Sequence, residues 1–257
     1  MLVRVAARRP LAALILVVFL ASCATGQTGI GLDLVPPEQV RQMGLDSWQA
    51  IRAETPPSDN PQYQRRVQGV ADRVLRGAGK DPRAWEVEVF KGADANAFAL
   101  PGNKIGVFEG MLGMADTDDM LAAVIGHEIA HNDANHASQR LSSQIAARAG
   151  LDIAASALGT SNLGSQELIA TVLGAGVQYG LILPYSRNQE LEADRLGLNS
   201  MARAGYDPRG AIALWRKMGA QGGQPPAFLS THPAPQQRIE QLQAMLPEAM
   251  ALYGGGR

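Results

Sequence analysis

One apolar run with polar residues inside it constrains this chain more than any other feature: Leu121-Ala-Ala-Val-Ile-Gly-His-Glu-Ile-Ala-His131. Asp116 and Thr117 precede the run as candidate N-caps, and Asp118 and Asp119 add negative charge to a first turn. The pattern therefore predicts a helix that contains the whole run. Residues four apart lie on the same face of a helix. His127 and His131 are therefore expected to direct two imidazoles at one point.

Glu128 lies between these histidines in sequence, about 100° around the helix axis, and so beside a shared metal rather than on it. This H-E-x-x-H arrangement is the one found in zinc peptidases. Zinc with three protein ligands leaves one position for a water whose pKa falls towards 7, and Glu128 would take the proton of that water. A helix with a polar stripe matches so short a motif equally well. The rest of the chain must therefore supply a third ligand.

Composition places the chain among globular proteins. With 257 residues, 46% of them hydrophobic and 18% charged, it is long enough for one good core or two small ones. Its 23 basic and 24 acidic residues are nearly balanced. Nothing in that balance indicates a nucleic-acid partner.

The N-terminus has the pattern of an export signal. Three arginines precede residues 11–20, an apolar stretch too short to span a bilayer. Leu20-Ala21-Ser22-Cys23 resembles the lipobox of bacterial lipoproteins, which predicts that residues 1–22 are removed and Cys23 is lipidated. The alternative, a buried free thiol, is disfavoured by the position of Cys23 at the expected cleavage point. Because Cys23 is the only cysteine, no disulfide forms within one chain.

The mature chain is expected to begin with a tether, residues 23–37, and to continue as one domain over residues 38–257. Gly and Thr residues and a Pro-Pro pair indicate that the tether is flexible. Mixed apolar and charged spacing predicts two scaffold helices, at 38–53 and 60–77.

Three extended runs predict a small antiparallel sheet ahead of the motif helix, with a turn at Pro101-Gly102-Asn103. The runs are 85–90, 95–100 and 104–108. An extended peptide can add to a free sheet edge as a further strand. We expect Asn96, Ala97 and Phe98 to lie on such an edge and to contact substrate, although an ordinary core strand fits the pattern equally well.

The third ligand does not follow the motif directly. Metzincins would require Gly at 134 and His at 137, where this chain has Ala134 and Ala137. His136 lies off the ligand face of a continuing helix and is expected to be a polar or packing residue near the helix end. A carboxylate further along the chain is the better candidate, and Glu190 is the one that the sequence offers.

Glu190 and Asp194 are again four residues apart and share a helix face. If Glu190 binds zinc, Asp194 can hydrogen-bond the outer nitrogen of a ligand histidine, His127 being the first choice, and so hold its tautomer. Glu192 points away and is expected to be a solvated charge. Arg187 could pair with Glu190 or Asp194, or it could be a surface arginine.

The two motifs together, His127-Glu-Ile-Ala-His131 and Glu190-Leu-Glu-Ala-Asp194, resemble the HExxH and ExEAD signatures of the gluzincin peptidases that include HtpX and the CAAX prenyl endopeptidases. Two further segments, residues 96–102 and 230–233, resemble the soluble periplasmic branch of that family, with LoiP, YcaL and the protease domain of BepA. The likeness covers about residues 60–245. It implies that His127, His131 and Glu190 bind one zinc ion and that Glu128 acts as general base and acid.

His232 precedes a proline in a predicted loop, where a surface histidine is the simplest reading. The resemblance implies instead that His232 lies at the metal, where it either binds zinc at rest or stabilises the oxyanion. Arg238 follows in the same pattern and is expected to give structural support.

Residues 142–183 are rich in Ala, Gly and Leu, and their most apolar part is shorter than the roughly 20 residues that span a bilayer. We expect core or interface helices, with a lid over the cleft as a weaker alternative. No 34-residue period indicates tetratricopeptide repeats.

These observations predict a mainly helical α+β zincin with a small antiparallel sheet beside the active-site helix. The expected function is that of a zinc endopeptidase, anchored through Cys23 at the periplasmic face of the outer membrane, that removes unfolded or misassembled envelope proteins. The alternative is a non-catalytic, zinc-stabilised lipoprotein with a chaperone-like or assembly role.

Overall fold

Helices and one small sheet build the part of the chain that the computed structural model describes, which is residues 34–157, 185–220, 226–233 and 235–255. The helices are α1 (Pro37–Glu54), α2 (Pro61–Gly77), α3 (Glu109–Met114), α4 (Asp118–Asp133), α5 (His136–Ala157), α6 (Arg187–Arg203), α7 (Arg209–Gly219), α8 (Phe228–Thr231) and α9 (Pro235–Gly254). The strands are β1 (Glu86–Phe90), β2 (Ala97–Leu100) and β3 (Lys104–Phe108). The predicted fold class, a mainly helical α+β domain, is confirmed.

The two helices that carry the sequence motifs begin at side-chain caps. Thr117 accepts a hydrogen bond from the backbone N–H of Met120 at the start of α4. Ser186 and Gln189 form a reciprocal capping box at the start of α6. These caps set the first turn of each helix and therefore the faces on which the motif side chains lie.

The sheet has the strand order β1-β3-β2, which leaves β2 at an edge as expected. Strand β2 is antiparallel to β3, but β1 is parallel to β3, so the prediction of a wholly antiparallel sheet is wrong. The chain reverses direction at each connection, so β1 and β3 run the same way. Because β3 inserts between β1 and β2, the pairing of β1 with β3 has to be parallel.

Helix α4 runs through the middle of the molecule, against α2, α6, α7 and β2. The main core contains Leu75, Ile105, Met111, Leu121, Ile125, Ile129, Met201 and Leu214, all at most 1% exposed. Nearly every residue of α4 after its first turn is buried, including its two histidines and Glu128. Buried polar side chains are costly without partners, so these three need a specific polar environment.

Helices α4 and α6 cross at two glycines. A Cβ added to Gly126 would lie 2.8 Å from the carbonyl oxygen of Gly197, and one added to Gly197 would lie 2.7 Å from the carbonyl carbon of Gly126. No side chain fits between the two backbones. This close approach brings His127, next to Gly126, against Asp194, which lies one turn before Gly197.

Other predictions fall only partly within the described residues. The helices predicted at 38–53 and 60–77 are α1 and α2. Cys23, the export signal and most of the tether lie outside the described residues, as does the part of the predicted core or lid segment from 158 to 183. None of the described helices is long and apolar enough to cross a membrane.

Candidate metal centre

Four buried side chains direct potential ligand atoms at one point. They are His127 and His131 from α4, Glu190 from α6 and His232 directly after α8, and one donor atom of each lies within 4.8 Å of all the others. The ring of His232 is held in place by its stacking on Phe228, at 4.2 Å between centroids. The sequence-predicted ligands are therefore brought together, and His232 joins them.

The spacing of these atoms tests whether the site fits zinc. Nε2 of His127 lies 2.9 Å from Nε2 of His131 and 3.2 Å from Nδ1 of His232. Oε1 of Glu190 lies 3.0 Å from Nδ1 of His232 and 3.4 Å from Nε2 of His131. Ligands about 2.0–2.1 Å from a tetrahedral zinc ion are about 3.3–3.4 Å from each other. Both the separations and the nitrogen and oxygen donors fit zinc.

Glu128 lies beside this cluster, as its position on the helix predicts. Its Oε2 accepts a hydrogen bond of 2.9 Å from the backbone N–H of Ala99 in β2. Its Oε1 is buried without a hydrogen-bond partner and lies 3.4 Å from Nε2 of His232. Burial raises the pKa of Glu128 to about 7, where a carboxylate can both take up and return a proton near neutral pH.

Asp194 supports the cluster from α6. Its Oδ1 lies 3.0 Å from Nδ1 of His127, so it reaches the outer nitrogen of the ligand histidine that the sequence predicted. A second partner of Asp194 is Arg238 of α9, which donates from Nε at 2.7 Å and also hydrogen-bonds Glu190. The Arg238 guanidinium is 3.8 Å from the ring centre of Trp215.

The proposed support from Arg187 is corrected by the structure. Arg187 is exposed in the first turn of α6, whereas Arg238 is only 2% exposed and lies against both acidic side chains. Arg187 lies on the exposed side of the first turn of α6, whereas Glu190 in the same turn is buried and faces α9. Arg238, expected to give only structural support, therefore holds the position that proximity in sequence suggested for Arg187.

A second support, on His131, was missed. His136 is fully buried at the start of α5, and its Nδ1 lies 2.9 Å from Nδ1 of His131. Its Nε2 lies 3.3 Å from Glu192, whose side chain is half exposed and so remains partly solvated as expected. Asn135, at φ 54°, turns the chain back between the helices. All four histidines of the chain thus lie in one cluster, and Tyr185 stacks on His131 at 3.9 Å between ring centroids.

Comparison with known proteins agrees with this geometry. A model of peptidase family M48 matches residues 57–246.

The chain belongs to peptidase family M48.

Among its curated relatives is the mitochondrial metalloendopeptidase OMA1 of Schizosaccharomyces pombe, 36% identical over 215 residues, or 81% of this chain and 61% of the relative. OMA1 of Saccharomyces cerevisiae is 31% identical, with 80% of this chain and 62% of the relative covered. The beta-barrel assembly-enhancing protease of Escherichia coli is 26% identical, over 78% of this chain and 42% of the relative. This chain therefore spans about three fifths or less of the relatives it matches.

M48 peptidases use zinc, and the electrostatics of this M48 site suit a cation. Burial lowers the pKa of His131 well below its ordinary value and that of His232 to about 4, so both are neutral with a free nitrogen lone pair at pH 7. Burial and the charge of Arg238 act to lower the pKa of His127, yet hydrogen bonds with Asp194 and Glu190 raise it to about 9. Zinc therefore has to displace a proton from His127.

The two carboxylates of the M48 site stay ionised. Burial acts to raise the pKa of Glu190, but hydrogen bonds with three histidines hold it far below its usual range. Burial also acts to raise the pKa of Asp194, but the charge of Arg238 together with hydrogen bonds from His127 and Arg238 outweighs burial and lowers this pKa. Ionised Glu190 with neutral His131 and His232 is a donor set for a divalent cation.

The M48 site opens into a cavity of about 210 Å³. Glu128 and His232 line this cavity together with the predicted substrate residues Asn96, Ala97 and Phe98. Because β2 is an edge strand, these three residues border both the cavity and an edge of the sheet. Their contact with substrate stays a prediction.

Proposed function

We propose that this M48 chain is a zinc-dependent endopeptidase of the cell envelope that cleaves unfolded or misassembled envelope proteins. One observation carries the peptidase assignment. The buried carboxylate of Glu128 stands between a four-donor metal cluster and the edge of β2, at the wall of a cavity. The alternative function, a non-catalytic zinc-stabilised lipoprotein, does not require Glu128 at that place.

The edge strand supplies the binding step. In β2 the main-chain groups of Phe98 face β3, where Phe98 pairs with Gly106, and those of Ala97 and Ala99 face outward. An extended peptide can hydrogen-bond to the outward carbonyls as an added strand, and to the N–H of Ala97 once that group releases its hydrogen bond of 3.0 Å to Oδ1 of Asn96. The N–H of Ala99 also donates to Glu128, so the peptide and the carboxylate meet at the same residue.

The chemistry then follows from the position of Glu128. Zinc, when bound, polarises the substrate carbonyl and makes water acidic enough to attack near pH 7. Glu128 accepts the proton of the attacking water and returns it to the leaving amine, which is consistent with its pKa of about 7. In this proposal His127, His131 and Glu190 would hold the zinc and leave its fourth position to water. His232, whose Nε2 lies 3.4 Å from Oε1 of Glu128, would then stabilise the developing oxyanion.

The location in the envelope is supported by the sequence rather than by the described structure. The export signal, the lipobox-like Leu20-Ala21-Ser22-Cys23 and the absence of aspartate at Ala24 support a lipid anchor at Cys23 in the outer membrane. The Escherichia coli relative is named for beta-barrel assembly, which supports envelope proteins as substrates, and the likeness to the periplasmic branch supports the same compartment.

The decisive experiment measures zinc content and casein cleavage on the chain from residue 24 onward, beside Glu128→Gln. We expect one zinc per chain in both, with cleavage reduced in the variant by a factor of about 10²–10⁴. Glu240→Gln, the same change on an exposed side chain of α9, is the matched control and should leave cleavage unchanged.

Either of two results would refute the proposal. Zinc without cleavage in the unaltered chain would favour the non-catalytic alternative, and a chain that binds no zinc would remove the basis of both functions.

A further inference from the structure

Helix α1 lies outside the residues that match the M48 model, 57–246, yet it forms one wall of the catalytic cavity. Val40, Met43, Ser47 and Ile51 of this helix line the cavity that Glu128 also lines. A segment in addition to the matched family region therefore shapes the space in front of the catalytic carboxylate.

The wall is fixed to the sheet. Trp48 is fully buried, its Nε1 donates to Glu86 at 3.0 Å, and its ring meets that of Phe90 edge-on at 5.3 Å. At Gly44 the helix is so close to the β2–β3 turn that an added Cβ would lie 2.0 Å from the carbonyl oxygen of Pro101. Such contacts hold α1 at a defined distance from β2.

The wall is also fixed to α5, on the other side of the cavity. Val40 of α1 packs with Leu141 and Ile145 of α5 in a small apolar cluster. Helix α1 thus bridges the sheet and α5, and the cavity lies beneath it. The lining of the cavity also includes the exposed Glu54 and the half-buried Arg140. The α1 side chains that face Phe98 are mainly apolar.

The register of β2 decides which substrate side chains enter. Successive side chains of a strand point to opposite faces of the sheet. Phe98 points to the face covered by α1, since its ring lies 6.2 Å from that of Trp48. A peptide added to the edge of β2 would therefore direct every second side chain under α1, beside Phe98 and Phe108.

We propose that α1 is a specificity-determining wall that selects an apolar substrate side chain on the Phe98 face of the bound strand. A cavity of about 210 Å³ is below the roughly 300–1,000 Å³ of pockets for drug-sized ligands, so it accepts single side chains and not a folded segment. This inference rests on the proposed endopeptidase function.

A positional peptide series tests the proposal with the zinc-loaded protein. Quenched fluorescent peptides of Ala and Ser carry a single Phe at each position around the scissile bond, and kcat/KM is compared with that of the peptide without Phe. One position, or two positions separated by one residue, should favour Phe by about tenfold or more. Ser47→Leu fills the cavity and should remove that preference, so that within this variant kcat/KM for the Phe peptides falls to that of the peptide without Phe.

Gln49→Leu adds the same side chain on the exposed face of α1 and is the matched control, with the Phe preference unchanged. Met43→Ala enlarges the cavity and should shift the preference from Phe towards Trp; it decides the matter if Ser47→Leu does not fold. Unchanged preferences in Ser47→Leu and Met43→Ala, with cleavage intact, would overturn the role of α1 and leave the endopeptidase function standing. Loss of all cleavage in the unaltered chain would instead refute the proposed function.

Discussion

Replacing Arg238 by Met should destabilise the protein and weaken zinc binding together. The guanidinium is 2% exposed and hydrogen-bonds both Asp194 and Glu190, so its removal takes the arginine partner from two buried carboxylates. Breaking a buried ion pair from one side costs about 3–5 kcal/mol. Because His127 still contacts both carboxylates, we expect the lower end, about 3 kcal/mol.

The zinc dependence of this loss distinguishes a site role from simple packing. Bound zinc adds less stability to a protein that binds it more weakly, so the variant should lose more stability in excess zinc than without metal. At about 2–4 °C per kcal/mol for a domain of this size, the metal-free Tm should fall by roughly 6–12 °C. A residue that hydrogen-bonds a metal ligand typically contributes about 10–100-fold to metal affinity, and we expect Arg238→Met to lose zinc affinity in that range.

Thermal unfolding in excess zinc and in excess chelator, with zinc affinity from competition against a chelating dye, measures both effects. Arg187→Met is the matched control, because Arg187 is exposed at the start of α6 and its replacement should change stability by less than about 0.5 kcal/mol. An Arg238→Met protein with unchanged Tm and zinc affinity would refute the reasoning. So would equal losses with and without zinc.

Four further substitutions test the packing and the site. Gly197→Ala should lower the free energy of unfolding in urea by about 1–3 kcal/mol or more, because its Cβ would meet the backbone of α4. Gly69→Ala, with open space around it, should raise the free energy of unfolding by about 0.5–1 kcal/mol. His136→Ala removes the neighbour of the outer nitrogen of His131 and should lower zinc affinity about tenfold or more in the same dye competition. Asn60→Ala deletes the cap of α2 and should lower the free energy of unfolding by about 1 kcal/mol; an unchanged urea midpoint would contradict this.

Local features were predictable because they depend on residues close together in the chain. The candidate caps Asp116 and Thr117 and the four-residue spacing of His127 and His131 were enough to predict the motif helix and its ligand face, and the structure shows that Thr117 is the cap. The same holds for the face shared by Glu190 and Asp194. The turn at Pro101-Gly102-Asn103 predicted the β2–β3 hairpin.

Contacts between distant segments were not predictable in this way. Periodicity shows which side chains share a face but not which element covers that face, so the parallel pairing of β1 with β3 was missed. For the same reason Arg187, which lies three residues from Glu190, was preferred to Arg238 as the partner of the carboxylates. Arg238 is 111 residues from His127 in sequence and yet hydrogen-bonds within the same cluster.

The sequence by itself determined which side chains could bind a metal and on which helix faces they stand, because those follow from spacing within single helices. Only the tertiary structure decided that α4 and α6 meet at Gly126 and Gly197, that Arg238 and His136 complete the cluster, and that α1 encloses the cavity. These features depend on how closely two backbones approach and on which surfaces they bury, and no local pattern encodes either quantity.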